Sequence, residues 1–282
     1  MALTLSSQSK HFGGTLSKYT HASTSTKTTM AFNVFVPEGA SAQNKVPVLY
    51  CLGGLTATED NFAQKSGFGA RASQYGIALV FPDTSPRDVG FPEAGEIADI
   101  GYSAGFYLNA TKAPWDKNWK MYDYISKELP EVIAANLPIG GHGALTIFLK
   151  NQSAYKSVSA FAPILHPTAS SWGMYAFPRY LGMDQYTWKQ YDTVELIKRL
   201  AAEKNLRSDV EFLIDQGTGD QFLNPDRLHT SVLAETIKSL GIDNQFNIRY
   251  HDGYDHGYFF ISTFINDHID HHAKAHGLSL KH

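Results

Sequence analysis

Three places in the sequence combine residue types that could carry out acyl transfer. Gly53 and Gly54 stand directly before Leu55, and glycines let backbone N–H groups turn towards a ligand, as half of an oxyanion hole requires. Asp220 lies in a later polar loop, where its carboxylate could orient an imidazole, and His256 follows in the next such loop. The order of acid before base is typical of one class of serine hydrolases. We therefore expect His256 as base, Asp220 as acid and Leu55 as oxyanion donor.

Each of these residues also fits a purely structural role. The glycines could serve only to reverse the chain, Asp220 could form an Asx turn, and His256 could cap a helix. Asp215 is a second carboxylate in the same stretch, but it lies closer to the preceding strand and is better placed to terminate it. Reactive groups of an open α/β sheet collect beyond the carboxyl ends of strands, so the three places together favour the catalytic interpretation.

Residues 101–105 (Gly-Tyr-Ser-Ala-Gly) match the G-x-S-x-G pattern of a nucleophile elbow. An elbow requires a buried strand before the serine and a helix after it. Residues 93–99 are polar, however, and residues 106–114 lack a helical apolar period. We therefore expect Ser103 to line a loop near a pocket rather than to act as the nucleophile.

Histidines recur in the last predicted helix. His268, His272 and His276 are spaced four residues apart, which would place their imidazoles on one helix face, as a metal clip requires. No carboxylate motif accompanies them, so we expect a solvated histidine-rich face instead. The sequence thus predicts neither a metal nor another cofactor.

The composition excludes several classes of protein. The chain has 282 residues with 24 Lys and Arg against 27 Asp and Glu, and its formal net charge of -3 does not fit a strongly basic nucleic-acid binder. Hydrophobic residues make up 43%, enough for a core, yet no run of about 18 apolar residues could span a membrane. Cys51 is the single cysteine, so no intrachain disulfide can form. We expect a soluble cytoplasmic protein without nucleic-acid or membrane partners.

Short buried strands alternate with helical segments along the chain. The apolar runs that predict strands are 46–52, 77–81, 158–164, 210–214 and 246–250. The segments with helical length and period are 58–74, 115–137, 194–204, 227–239 and 258–272. This alternation predicts an α/β fold whose mostly parallel sheet is covered by helices on both faces, in one domain over residues 1–282.

Several motifs resemble those of the S-formylglutathione hydrolase family, also called esterase D. They include Gly53-Gly54-Leu55-Thr56-Ala57-Thr58, Phe81-Pro82-Asp83-Thr84-Ser85-Pro86-Arg87, Gly141-His142-Gly143-Ala144-Leu145, Trp172-Gly173 and Gly253-Tyr254-Asp255-His256. The resemblance covers almost the whole chain and implies an α/β-hydrolase fold. It also implies a cytosolic homodimer that hydrolyses S-formylglutathione in formaldehyde detoxification, cleaves simple esters and needs no cofactor. Asp220, His256 and Leu55 match the family's acid, base and loop oxyanion donor.

The sequence departs from the family pattern at the nucleophile. In the family, the Gly-Gly-His-Gly stretch follows a central strand and a Gly-His-Ser-Met elbow that supplies the serine. Here Ile139 runs straight into Gly140, and about a dozen residues of that pattern, the serine included, are absent. We therefore expect a disrupted central strand: either residues 132–139 are recruited as a poor strand, or the sheet is breached.

Three interpretations of function follow from the residues. The resemblance implies a serine hydrolase that acts on thioesters and carboxylic esters. The absent elbow favours a catalytically impaired or dead relative that still binds glutathione-like ligands or dimerises. A third interpretation is a truncated gene product whose intact parent is the enzyme.

Overall fold

The chain forms two compact units in a computed structural model that describes residues 2–91, 93–97, 99–103, 106–137, 139–140, 145–223 and 227–280. The first unit comprises Met1–Gly143 and Ile265–His282, and the second comprises Ala144–Phe264. One domain over residues 1–282 stays a prediction. Within the described ranges, no helix has both the length and the apolar character needed to cross a bilayer.

Strands and helices alternate over most of the described ranges. The strands there are β1 (Thr4–His11), β2 (Gly14–Ala22), β3 (Thr29–Val36), β4 (Val46–Tyr50), β5 (Ala78–Pro82), β6 (Ile139–Gly140), β7 (Val158–Phe161), β8 (Phe212–Gly217) and β9 (Phe246–His251). The α-helices there are α1 (Glu59–Lys65), α2 (Gly69–Tyr75), α3 (Glu93–Glu96), α4 (Met121–Asp123), α5 (Leu129–Asn136), α6 (Leu145–Lys150), α7 (Ser171–Leu181), α8 (Gln185–Lys189), α9 (Thr193–Ala202), α10 (Thr230–Ser239) and α11 (Tyr258–Ala275).

The sheet of the first unit is mixed, with the strand order β1-β2-β3-β5-β4-β6. Strands β1, β2, β3 and β5 pair antiparallel in that order, whereas β4 is parallel to both β5 and β6. Every residue of β5 is buried, as its continuous apolar sequence predicts for a strand covered on both faces. The polar strand β1 at the edge has no such pattern, and we did not predict it.

The link ahead of the missing elbow keeps only a remnant of a central strand. Ile139 and Gly140 form β6 by pairing with Val46 and Pro47 of β4. Residues 132–136 stay helical in α5, so the first of the two predicted alternatives, recruitment of residues 132–139 as strand, is wrong for residues 132–136, whereas Ile139 does lie in a strand. In the described ranges the strands form two sheets, of six and three strands.

The sheet of the second unit is parallel, with the order β7-β8-β9. All six residues of β8 are buried, and Phe212 stacks on Phe246 of β9 with ring centroids 4.3 Å apart. Because the strands are parallel, their carboxyl ends lie at one edge of this sheet. The loops that follow β8 and β9 therefore begin side by side.

Two predicted helices are interrupted in the structure. The segment 58–74 divides into α1 and α2 around Gly67, whose positive φ of 75° ends the first helix. The segment 115–137 begins with a 3-10 turn at Trp115–Lys117, and a π-helical turn at Tyr124–Glu128 separates α4 from α5.

The expectation of a solvated histidine-rich face on the last helix is wrong for His268 and His272. His268 and His272 on α11 are 2% and 4% exposed, and burial lowers the pKa of His272 well below its ordinary value. In the described part of the chain, no group of three or more His, Cys, Asp or Glu side chains is arranged to hold a metal ion. These histidines are core residues of the first unit.

Candidate active site

The structure brings the predicted acid and base together. The Nδ1 atom of His256, in the loop after β9, lies 2.7 Å from Oδ2 of Asp220, in the loop after β8. The Asp220 side chain is 0% exposed and that of His256 is 33% exposed. An ionised carboxylate can only accept hydrogen bonds, so Nδ1 carries a proton; in the neutral imidazole the other ring nitrogen, Nε2, then has the lone pair. A histidine in this tautomer can accept a proton at Nε2.

Hydrogen bonds keep the Asp220 carboxylate ionised. Burial alone would raise the pKa of Asp220, but the contacts it accepts outweigh burial and lower the pKa below its ordinary value. The donors are the His256 ring, the backbone N–H of Phe222 at 2.7 Å from Oδ1, and the Gln216 amide at 2.9 Å from Oδ2. The carboxylate is therefore held in place from three directions.

Backbone contacts fix the two loops to each other. The N–H of Gly219 donates to the carbonyl of Tyr254 and the N–H of Thr218 donates to that of His251, each at 2.9 Å. A Cβ atom on Gly217 would lie 2.2 Å from the Tyr254 carbonyl oxygen, so this approach requires glycine. The separation of acid and base is thus set by the main chain.

The alternative acid, Asp215, has a different partner. It lies within β8. Its two carboxylate oxygens accept hydrogen bonds from Nε and Nη2 of Arg249 on β9, both at 2.6 Å. His251 Nε2 lies 3.2 Å from the same carboxylate. Asp215 is 0% exposed and sits opposite Arg249 in the strand register. This buried ion pair gives Asp215 a structural role within the sheet and leaves Asp220 facing His256.

An aromatic wall stands beside His256, and the sequence analysis did not assign it to the site. The Phe222 ring packs edge-to-face on His256 at 5.0 Å, and Trp172 lies 5.0 Å from Phe222. The Arg227 guanidinium carbon sits 4.9 Å from the Trp172 centroid and 5.5 Å from that of Phe222. Phe222 is two residues from Asp220, and Trp172 belongs to a family motif. Both features of the sequence could have indicated that these residues lie near the site. No such feature of the sequence indicated Arg227.

The loop that bears Leu55 lies in the first unit, directly after β4. The Tyr107 hydroxyl donates to the carbonyl of Gly53 at 2.7 Å, and the Thr84 hydroxyl donates to that of Ala57. Thr56 has a φ of 63°, a conformation that a β-branched residue rarely adopts. Backbone strain of this kind persists where surrounding contacts enforce it, and it concentrates at functional sites. The role of Leu55 as oxyanion donor stays a prediction.

The G-x-S-x-G stretch lacks the setting of a nucleophile elbow. Gly101–Ser103 forms a 3-10 turn, and helix α3 precedes it in the described ranges instead of a strand. Arg87 fixes this turn by donating to the Tyr102 carbonyl at 3.0 Å. Ala104 and Gly105 lie outside the described residues, as do Gly141-His142-Gly143-Ala144, the segment that follows the missing elbow.

Comparisons with known proteins agree with the motifs. A family model described as "Putative esterase" matches residues 23–271. The S-formylglutathione hydrolase of Arabidopsis thaliana is 47% identical over 279 residues, covering 94% of this chain and 95% of the relative. That of Mus musculus is 44% identical over 288 residues, covering 97% and 99%. Since 94% of 282 residues is about 265, about 14 of the 279 aligned positions hold no residue of this chain. That number is close to the dozen residues absent from the elbow pattern.

Solved structures give the same result at the level of the fold. An S-formylglutathione hydrolase from Agrobacterium tumefaciens has a TM-score of 0.88 at 38% identity, covering 96% of this chain and 99% of that one. A fluorophosphonate-binding serine hydrolase from Staphylococcus aureus shares the fold at 16% identity, with a TM-score of 0.68 and coverage of 91% and 97%. The chain therefore belongs to the S-formylglutathione hydrolase family of esterases and has its α/β-hydrolase fold.

Proposed function

We propose that the chain acts on S-formylglutathione, the thioester named in its relatives, and hydrolyses it to formate and glutathione. The observation that carries the proposal is the hydrogen bond of 2.7 Å between His256 and the ionised Asp220. It leaves Nε2 of His256 as the proton acceptor on a side chain that is 33% exposed. Such a dyad is the acid–base half of a serine hydrolase.

The chemistry assigns one role to each predicted residue. His256 takes a proton from the attacking hydroxyl group as it adds to the formyl carbon. The N–H of Leu55 stabilises the negative oxygen of the tetrahedral intermediate. His256 then returns the proton to sulfur as the C–S bond breaks, so that the thiol leaves neutral. Asp220 holds the imidazole in the required tautomer and stabilises its positive charge between the two transfers.

The chain lacks the serine that serves as the attacking group in the family pattern. The sequence has no serine between Ile139 and Leu145, where the family pattern places its elbow. Without an acyl-serine intermediate, His256 has to activate water directly. Removal of the serine from a triad typically costs roughly a millionfold in kcat. The proposed activity is therefore that of an impaired hydrolase.

The same absence favours a second candidate function, a relative that binds glutathione-like ligands or dimerises without turnover. For either function, we place the protein in the cytoplasm as a homodimer with a part in formaldehyde detoxification. The support for these assignments is the family resemblance. The ligand is a small thioester, and we assign no nucleic-acid or membrane partner.

Release of formate from S-formylglutathione tests the proposal. We expect turnover far below the ordinary value of about 10 per second. His256→Ala should abolish what remains, whereas His276→Ala, a matched change just after the end of α11, should not. Unchanged turnover in His256→Ala would refute the dyad. Ordinary turnover that Ser103→Ala abolishes would instead make Ser103 the nucleophile.

A second variant separates the two candidate functions. The family's strand and Gly-His-Ser-Met elbow are inserted between Ile139 and Gly140, and folding is checked by circular dichroism. A rise in turnover by several orders of magnitude would show that the acid, base and oxyanion groups are competent. A folded insertion variant without turnover would favour the binding function.

A further inference from the structure

Arg227 is a cation beside the proposed acid–base pair, and it has no anionic partner among the residues that the structure describes. Its guanidinium lies over the rings of Trp172 and Phe222. The Phe222 ring in turn packs edge-to-face with the His256 ring. The side chain is half-buried. Among the described residues, no hydrogen bond or ion pair reaches the Arg227 side chain. The contacts that position the arginine within the described ranges are those with the two aromatic faces.

Stacking leaves the N–H donors of this guanidinium without an acceptor in the described part of the chain. A cation–π contact engages the flat face of the group, whereas its five N–H donors point outward in the plane. The carboxylate of Asp220 already accepts from His256, Phe222 and Gln216 and is committed to the dyad. A planar fork with free donors matches a carboxylate from solution, which it can bind through two parallel hydrogen bonds.

The distances fit one carboxylate of the proposed substrate. The guanidinium carbon lies 5.5 Å from the Phe222 centroid, which lies 5.0 Å from the imidazole centroid, so the two groups are at most about 10.5 Å apart. The leaving sulfur must come within about 3.2 Å of the imidazole to receive its proton. In glutathione the glycyl carboxylate lies about two residue lengths from the sulfur, roughly 7 Å when extended. The carboxylate thus reaches Arg227 while the sulfur contacts His256.

We infer that Arg227 binds the glycyl carboxylate of the glutathionyl group, an inference that rests on the proposed substrate. The contact is remote from the reacting carbon and is the same in the bound substrate and in the transition state. It therefore affects affinity for the thioester rather than the rate of the chemical step. Neutral esters that lack the carboxylate gain nothing from it.

The test measures binding, so it does not depend on turnover. S-methylglutathione is a thioether that cannot be hydrolysed, and its binding to the full chain is followed by isothermal titration calorimetry. Arg227→Gln should weaken binding about ten- to a hundredfold, the usual effect of losing a hydrogen bond to a charged group. Arg227→Lys should retain part of the affinity. The matched control is Arg179→Gln, which removes an exposed arginine stacked on Tyr175 and should leave binding unchanged.

A change in the ligand identifies the carboxylate. S-methylglutathione with its glycine converted to the amide should bind the wild-type chain as weakly as the unmodified ligand binds Arg227→Gln. The two changes combined should cause no further loss. Equal binding of S-methylglutathione by wild type and Arg227→Gln would overturn the inference and leave the substrate proposal intact. If the wild-type chain binds the amide with full affinity, Arg227 does not bind the glycyl carboxylate and the inference is wrong. If the wild-type chain does not bind S-methylglutathione at all, both proposals are wrong.

Discussion

Individual carboxylates in this protein owe their roles to their partners rather than to burial. Asp215 and Asp220 both have 0% exposed side chains. Asp215 is neutralised by Arg249, whereas Asp220 accepts from a histidine that is partly exposed. Asp220 thus accepts a hydrogen bond from the more exposed of the two histidines, His256 rather than His251, and its other contacts leave Nε2 of that ring available for chemistry.

The Asp220→Asn variant should unfold more easily at neutral pH. The NH₂ group of the asparagine amide is a donor, and it would face His256, Phe222 and Gln216, which already donate to this position. The loss of these hydrogen bonds should lower the free energy of unfolding by about 1–3 kcal/mol. Because folding lowers the pKa of Asp220 below 3.8, its stabilising effect is present above that pH and is lost as the pH falls through the folded pKa. Urea unfolding at pH 7 and pH 3 should therefore show a difference that shrinks in acid.

Asp209→Asn is the control for that comparison, since Asp209 is exposed and pairs with Arg207 on the surface. We expect it to behave like the wild-type chain at pH 7. A stability difference for Asp220→Asn that stays constant or grows in acid would contradict the ionised carboxylate.

The sequence was sufficient to predict the contact between Asp220 and His256 but not its surroundings. Asp220 and His256 follow runs that predict strands, and their contact follows from the shared edge of a parallel sheet. The positions of Trp172 and Arg227 depend instead on loop conformations without periodicity. The burial of His268 was also mispredicted, because helical spacing defines a face but not what that face packs against.

At the scale of elements, the dyad depends on two loops that approach closely. The N–H of Thr218 donates to the carbonyl of His251 at the end of β9, and the N–H of Gly219 donates to that of Tyr254 in the loop that follows. Gly217 ends β8 at the place where the two chains come nearest. A side chain there would separate the loops.

We expect Gly217→Ala to destabilise the chain by about 1–3 kcal/mol, the usual effect of overpacking a tight site. The added Cβ would lie 2.2 Å from the Tyr254 carbonyl oxygen, and a main-chain atom cannot move aside as a flexible side chain can. Gly54→Ala is the control, since nothing lies within 4 Å of its Cβ position. Urea unfolding of the two variants compares them directly, and equal stabilities would refute the packing argument.

Sequence patterns predicted buried strands better than helix limits. Strands β5 and β8 are apolar throughout, and each was predicted to within a few residues. The exposed strand β1 carries no apolar pattern, and it lies at the sheet edge, where it pairs with β2. The break between α1 and α2 depends on the positive φ of Gly67, which the helical period does not encode.

At the scale of the whole molecule, the dominant feature is the remnant strand β6. Two residues, Ile139 and Gly140, stand where the family pattern has a full central strand. A strand covered on both faces normally screens apolar side chains from water. Each aliphatic side chain left exposed forfeits about 1.5–3 kcal/mol, against a total stability of about 5–15 kcal/mol.

We therefore expect a marginally stable chain, and insertion of the family's strand and elbow between Ile139 and Gly140 should raise the melting temperature. Differential scanning calorimetry of both forms measures the change. The insertion should also raise esterase activity in parallel. If the unmodified chain melts cooperatively at an ordinary temperature and the insertion destabilises it, then the short link is an adaptation with packing of its own.

The backbone bonds between the loops after β8 and β9 also have an evolutionary consequence. Hydrogen bonds between main-chain groups do not depend on side-chain identity, so most substitutions at Thr218 or Tyr254 leave them in place. The spacing of Asp220 and His256 is therefore buffered against mutational drift. The absence of the serine therefore leaves the contact between Asp220 and His256 in place. Recovery of the activity then requires the return of one strand and its serine, not the reinvention of a site.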